Sequence, residues 1–366
     1  MKPAGIDPSK VKRVLIYRLG SLGDTVVVLP ALHLVARTFP NARRLMLTNA
    51  PVHAKAPAAS AIIGESGLVD GYLSYPVGTR SAKTLADLWF QIRHFRPQVL
   101  VYLTKPRGEK AILRDQRFFR ACGISKIVGL PLGDRAINLQ VNETLWESEA
   151  ARLARCVSEL GAIDLNDPAA WDLRLTAEEL RRAEAALQPT GGQPFIACGP
   201  GTKVQAKDWG TENWCALTVE LSRKFPGHSL VLVGAKEDQE VSELLAARWQ
   251  GKTVNLCGEL APRETAALLR KAELFLGPDS GPMHFAASAG VPCVIAFAAR
   301  TKPGVWFPHG TGHRILYRNV DCAGCNLETC IEQKKKCLTS ITVDDMLAAS
   351  LEAWRNRQRA SESTFA

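Results

Sequence analysis

The chain has 366 residues, of which 46% are hydrophobic and 22% charged, with a formal net charge of +10. That length suits two domains, and that composition excludes a disordered or fibrous chain. No stretch approaches the roughly 18 uninterrupted apolar residues of a membrane span. Nor does the opening Met1-Lys2-Pro3-Ala4-Gly5 read as a secretory signal, so a cytoplasmic protein is expected.

Residues 11–17 (VKRVLIY) read as a buried strand, and residues 25–39 carry apolar side chains at helical spacing until Pro40-Asn41 stops them. Residues 44–48 are the next strand and 85–95 a helix ended by Arg96-Pro97. A strand at 99–103, a helix at 110–122 and a strand at 126–130 follow. Strands alternating with helices predict a parallel sheet with helices on both faces. Residues 77–137 hold twelve Lys or Arg against four Asp or Glu. Such a field favours an anionic partner, whether phosphorylated glycan, nucleic acid or membrane surface; the plain alternative is a solvated basic face.

Residues 142–187 read as mostly helical and charged, interrupted by Asn166-Asp167-Pro168. A second α/β series begins with the strand Phe195–Cys198. Helices at 212–225, 238–249, 263–271 and 282–289 then alternate with strands at 229–233, 254–256, 274–276 and Cys293–Phe297. The architecture repeats, giving two doubly wound domains over 1–165 and 166–340. A C-terminal helix over 341–366 is expected to pack back toward the first. Such a layout places a ligand cleft between the domains, at the carboxyl ends of two facing sheets.

Strand-to-helix turns carry the chemistry. The first is Arg18-Leu19-Gly20-Ser21-Leu22-Gly23-Asp24. Gly20 and Gly23 permit a tight turn and close approach of a ligand, and the helix start offers free N–H groups. The spacing is G-x-x-G rather than the dinucleotide fingerprint, which argues against a nicotinamide oxidoreductase. Asp24 stands where a helix N-cap belongs; the functional alternative is a general base. The second turn is Gly199-Pro200-Gly201-Thr202-Lys203, followed by Lys207-Asp208-Trp209-Gly210. Its glycines, hydroxyl and ammonium suit a diphosphate, without the G-K-[ST] ending of an ATPase loop. The third is Gly277-Pro278-Asp279-Ser280-Gly281-Pro282-Met283-His284, where Ser280 and Gly281 offer donors at a helix start and His284 lies one turn in.

The segments R-L-G-S-L-G-D-T-V-V-V-L-P-A-L and G-P-D-S-G-P-M-H-F-A-A-S-A-G-V-P resemble the two signatures of glycosyltransferase family 9. K-D-W-G-T-E-N-W is similar to that family's segment around a donor-binding lysine, and the resemblance spans residues 11–346. It implies a GT-B fold, an α/β architecture of two Rossmann-like doubly wound domains facing across a cleft. The acceptor would sit on the first domain and the donor on the second. It also implies a metal-independent inverting transfer from a nucleotide sugar, ADP-heptose in many members. The acceptor is then an anionic glycolipid of the lipopolysaccharide core, met by peripheral contact with the inner membrane surface and without nucleic acid.

By the same resemblance Asp24 is the catalytic base and Lys207 neutralises the leaving diphosphate. Gly201 and Thr202 belong to the phosphate loop. Asp279, Ser280, Gly281 and His284 match the donor site, and Asp238 lies near an acidic position that contacts base or ribose. Gly20, Gly23, Lys105, Arg107 and Arg114 are candidates on the acceptor side. Thr104-Lys105-Pro106-Arg107-Gly108 departs from the D-x-Q-G pattern of many heptosyltransferases, leaving the acceptor and sugar open. The alternatives are another nucleotide-activated sugar for a surface glycan, or a non-catalytic nucleotide- or nucleic-acid-binding protein.

Ten cysteines in a cytoplasmic chain argue against a disulfide framework. Cys122, Cys156, Cys198, Cys215, Cys257 and Cys293 read as small core residues. Cys322, Cys325, Cys330 and Cys337 cluster in a loop over 321–338, compatible with structural zinc or iron, with packed reduced thiols, or with a redox pair. No cofactor is expected for catalysis, and the loop itself is expected to play no part in it.

Overall fold

The structure, a computed structural model, describes residues 7–50 and 58–365; the opening residues weighed for a signal lie outside that range. The chain divides into two compact units, Met1–Arg174 and Leu175–Ala366.

In the first unit the strands are β1 (Arg13–Tyr17), β2 (Arg43–Asn49), β3 (Gly71–Tyr75), β4 (Val99–Tyr102) and β5 (Lys126–Val128). They form an all-parallel sheet in the order β3-β2-β1-β4-β5. Its helices are α1 (Leu22–Val26), α2 (Leu29–Thr38), α3 (Ala59–Ile63), α4 (Ala82–Phe95), α5 (Glu109–Ala121) and α6 (Glu149–Cys156). A central parallel strand is covered on both faces and therefore reads as a continuous apolar run, as β1 and β4 do. On one face Leu15, Tyr17, Leu100 and Tyr102 pack with Leu88, Ile92 and Phe95 of α4 and Phe119 of α5.

The single helix expected over 25–39 is two, α1 and α2. Pro30 lacks an N–H and sits in the first turn of α2, where no intrahelical bond is lost. The stretch 142–187 is less helical than expected, with short 3-10 turns beside α6 and α7 (Ala177–Ala186). The unit boundary also lies later than 165/166. Trp171 is buried with its Nε1 donating to Leu165 O, and His33 Nε2 bonds the Asp172 carbonyl, so this segment belongs to the first unit.

The second unit has β6 (Phe195–Cys198), β7 (Ser229–Leu232), β8 (Thr253–Asn255), β9 (Leu274–Pro278), β10 (Cys293–Phe297) and β11 (Arg314–Tyr317). They are again all parallel, in the order β11-β10-β9-β6-β7-β8. After α7 come α8 (Thr211–Lys224), α9 (Gln239–Ala246), α10 (Pro262–Leu269), α11 (Gly281–Ser288), α12 (Lys336–Thr339) and α13 (Val343–Phe365). Helix α13, expected to reach back toward the first domain, packs on the core of its own unit through Met346 and Ala353. Trp354 Nε1 donates to Glu273, and Arg357 Nη1 to the Ala272 carbonyl.

Strand order reverses between β1 and β4 in the first unit and between β6 and β9 in the second. In open parallel sheets that reversal opens a crevice outside the carboxyl ends of the two strands, where ligands bind. All three turns singled out in the sequence leave strands at these reversals: β1, β6 and β9.

Candidate active site

Asp24 lies in the first turn of α1, directly after β1. Its Oδ2 accepts from Ser21 N at 2.8 Å and from Ser21 Oγ at 2.9 Å, so Ser21, not Asp24 as expected, is the N-cap, and Asp24 closes the capping box from the third helical position. That leaves Oδ1, which is buried and has no hydrogen-bond partner. Two cations face it: Arg18 Nη2 at 3.7 Å and Lys105 Nζ at 3.9 Å. Arg18 is buried, donating from Nη1 to Leu103 O at 2.5 Å and from Nη2 to Asp24 O. Burial pushes the Asp24 carboxyl up, but Arg18, Lys105 and the Ser21 hydrogen bonds outweigh it and hold the group below the usual carboxylate range. The result is an ionised carboxylate with one oxygen bonded to Ser21 and the other facing two cations.

Gly20 serves Asp24 directly. Its φ is +139°, and an added Cβ would come within 2.4 Å of Asp24 Cβ and 2.5 Å of its Cγ. Its N–H donates to Asn49 Oδ1 at 3.0 Å. Gly23 lies inside the first turn of α1 and accepts from Val27 N.

The basic candidates are not equivalent. Lys105 is half-exposed and faces Asp24, whereas Arg107 is turned inward, paired with Asp115 and donating to Tyr17 Oη at 3.1 Å. Arg114 is exposed and reaches Asp115 at 3.4 Å. Tyr102 Oη also donates to Asp115, at 2.9 Å, and Tyr17 and Tyr75 share a hydroxyl contact of 2.6 Å. Arg107 is thereby committed to a polar network under the turn.

In the second unit Lys207 closes a 3-10 turn, Gln205–Lys207, and its Nζ pairs with Asp279 Oδ2 at 2.7 Å. Asp279 is buried at the end of β9's turn. The next residue, Ser280, occupies the N-cap of α11 without capping it, and its buried Oγ has no partner. A hydroxyl and the first N–H groups of a helix are thus prepared for an anion, with Gly281 opening the helix. Thr202 Oγ1 accepts from Val204 N at 3.3 Å, keeping its loop turned. The Asp238 side chain packs into that loop. A Cβ on Gly201 would meet its Cγ at 2.1 Å, and one on Gly234 its Oδ2 at 2.6 Å. Both glycines therefore make room for this carboxylate, which accepts from Ala235 N at 2.8 Å.

His284 is buried one turn into α11. His309, which the sequence did not flag, lies near enough to feel its charge. Burial first, then His313 and His284, push His309 down to about 3, so it is neutral near pH 7. Arg18 and Thr301, whose buried hydroxyl has no partner, also went unremarked. Only Arg18 had a signal, a charge directly after four apolar residues of a strand.

The four clustered cysteines are free thiols. Among the described residues no group of three or more His, Cys, Asp or Glu is gathered to hold a metal ion. The arrangement thus gives no support to a structural zinc or iron, one of the three readings left open for this loop.

A family model described as glycosyltransferase family 9 (heptosyltransferase) matches residues 119–336. Lipopolysaccharide core heptosyltransferase OpsX of Haemophilus influenzae is 25% identical over 155 residues, 41% of this chain and 40% of that protein. Lipopolysaccharide heptosyltransferase 1 of Pseudomonas aeruginosa is 25% identical over 341 residues, 88% of each chain. Among solved structures, a glycosyl transferase family 9 protein from Veillonella parvula superposes with a TM-score of 0.70 at 16% identity, covering 96% of this chain and 98% of the other. The E. coli ADP-heptose lipopolysaccharide heptosyltransferase II does so with a TM-score of 0.63 at 17% identity, covering 94% and 99%. At such identities these likenesses establish the fold.

Proposed function

The chain belongs to glycosyltransferase family 9 and is a glycosyltransferase; on that premise we propose that it transfers heptose from ADP-heptose to a lipopolysaccharide core acceptor with inversion, Asp24 acting as general base. One observation carries the reading: the buried, ionised Asp24 carboxylate has one oxygen anchored by Ser21, while the other faces Arg18 and Lys105 and makes no hydrogen bond. Pure binding has no use for such a group. In the reaction the acceptor hydroxyl gives its proton to Oδ1 as its oxygen bonds to the anomeric carbon. The bond to the diphosphate breaks on the opposite side, and ADP leaves with the electron pair. Lys207, the N–H groups at the start of α11 and the Ser280 hydroxyl then meet the negative charge on the diphosphate, a term that is commonly the largest in such catalysis. Asp279 holds the Lys207 ammonium until the donor arrives. None of these steps calls on a metal ion.

Lys105 is the cation best placed to meet an acceptor phosphate, since it is half-exposed beside Asp24. Peripheral contact with an anionic membrane surface is assigned in this reading to α4 and α5. There Phe90 is 65% exposed, and Lys110, Arg114 and Arg117 line the solvent side of α5. Among the described residues no helix is long and apolar enough to cross a membrane.

Donor turnover is the test. Purified protein is given lipid A-core acceptor and a panel of ADP- and UDP-sugars, with wild type and Asp24→Asn side by side. Consumption of ADP-heptose by wild type, with transfer lost and ADP binding kept in the variant, is the expected result. Use of another donor would replace the sugar and leave the site standing. Full activity of Asp24→Asn would remove the base.

A further inference from the structure

The cysteine loop is fastened to the turn that carries Lys207. Ala206 N donates to Glu328 O at 3.0 Å, and Cys330 N donates to Gln205 Oε1 at 2.8 Å. Lys335 Nζ donates to Asp208 O at 2.7 Å and lies 3.2 Å from Asp208 Oδ2. These contacts bracket Lys207, the first two just before it in the chain and the last just after. One residue further on, Trp209 Nε1 donates to Ile341 O at 2.9 Å, beyond the other end of the loop.

The bracketed turn has little strength of its own. It is three residues of 3-10 helix with an internal bond from Lys207 N to Val204 O, and such short pieces are marginal without outside support. Lys335 is shaped for the task. It takes a left-handed backbone, φ +54°, and its side chain is 19% exposed, whereas neighbouring Lys334 is exposed. An ammonium bonded to a carbonyl and its own carboxylate is a strong, charge-assisted anchor.

We infer that residues 328–335 buttress the donor lysine, with Lys335 a positioning residue that acts through Lys207. The inference rests on the reading of Lys207 as the group that meets the donor diphosphate. The contacts come from the backbone, Gln205 and Lys335, so the loop has a task toward the donor that does not require its thiols as ligands. This differs from the sequence expectation that the loop stands apart from catalysis.

The test is calorimetric binding of ADP to the full chain, for wild type, Lys335→Met, Lys335→Arg, Lys334→Met, Lys207→Met and the Lys207→Met/Lys335→Met double variant. Thermal melts run in parallel. Displacing a positioned group by a fraction of its reach costs roughly tenfold to a hundredfold, so Lys335→Met is expected to weaken ADP by about that factor. Lys335→Arg should recover part of it and Lys334→Met none should be needed, its affinity staying within about twofold of wild type. If Lys335 acts through Lys207, the double variant binds no more weakly than Lys207→Met. Additive losses, or a Lys335→Met protein that binds ADP as wild type does, whatever its melting temperature, would overturn the inference. Failure of wild type itself to bind ADP would instead remove the donor reading on which the inference stands.

Discussion

The two sheets use the same connection, a strand ending in a glycine turn that opens a helix, for opposite charges. In the first unit a carboxylate sits among cations, with Arg18 buried and Lys105 half-exposed. In the second an ammonium leans on a carboxylate, Lys207 on Asp279, beside an unpartnered hydroxyl and a helix start. The fold supplies the place and the charges supply the task. In the proposed function one turn receives a proton and the other a departing anion.

That division can be broken by experiment. Asp24→Asn is expected to have the largest effect, lowering kcat by roughly a hundred- to ten-thousandfold, with ADP affinity unchanged because the donor residues lie in the other unit. Asparagine still accepts the Ser21 hydrogen bonds, so the turn should survive. Lys207→Met should lower kcat by about a hundredfold or more and also weaken ADP. Steady-state kinetics beside ADP calorimetry separates the two, and weakened ADP binding in Asp24→Asn would end the division of labour.

Ser280→Ala sharpens the comparison. Its hydroxyl makes no hydrogen bond in the free protein, so the melting temperature should hold while ADP affinity falls several-fold, about what one hydrogen bond of ~1 kcal/mol provides. A lowered melting temperature with unchanged affinity would mean that the hydroxyl serves the fold.

The smallest effect is expected from Lys105→Met, read in the acid limb of kcat/KM. Asp24 is held ionised below the usual carboxylate range against the upward push of burial, partly by Lys105. Removing that cation lets the carboxylate take its proton at higher pH. The limb should therefore move upward in pH, making the variant more acid-sensitive than wild type. An unmoved limb would assign it to another group.

Sequence revealed the parallel sheets because buried strands such as Phe195–Cys198 and Cys293–Phe297 are short apolar runs between glycines and amphipathic helices, and both appear with the expected bounds. It revealed less at the edges. β3 and β11 are half-buried, so neither a continuous apolar run nor clean alternation marks them. Asp24, Lys207 and Ser280 stood out because their turns have a local grammar. The pairing of Lys207 with Asp279, the inward turn of Arg107 to Asp115 and the approach of His309 to His284 have none. The first and last join residues far apart in the chain, and the Arg107 contact depends on how its loop folds back onto α5, which residue spacing alone does not record. Nor did the chain announce that Gly201, expected in the phosphate loop, leaves room for the Asp238 side chain.

Helix α13 bears on how the protein is made. Met346, Ser350 and Ala353 complete the core against which Trp209 and Trp214 pack, and Trp209 bonds to Ile341 just ahead of that helix. On the ribosome the first unit can close while the second is still being translated, because domains fold as their chains emerge. The second is completed only with residues 343–365, and until then the part of its core that Met346 and Ala353 fill stays open. A chain interrupted before Met346 would leave a folded first unit joined to an aggregation-prone half whose core lacks its last helix.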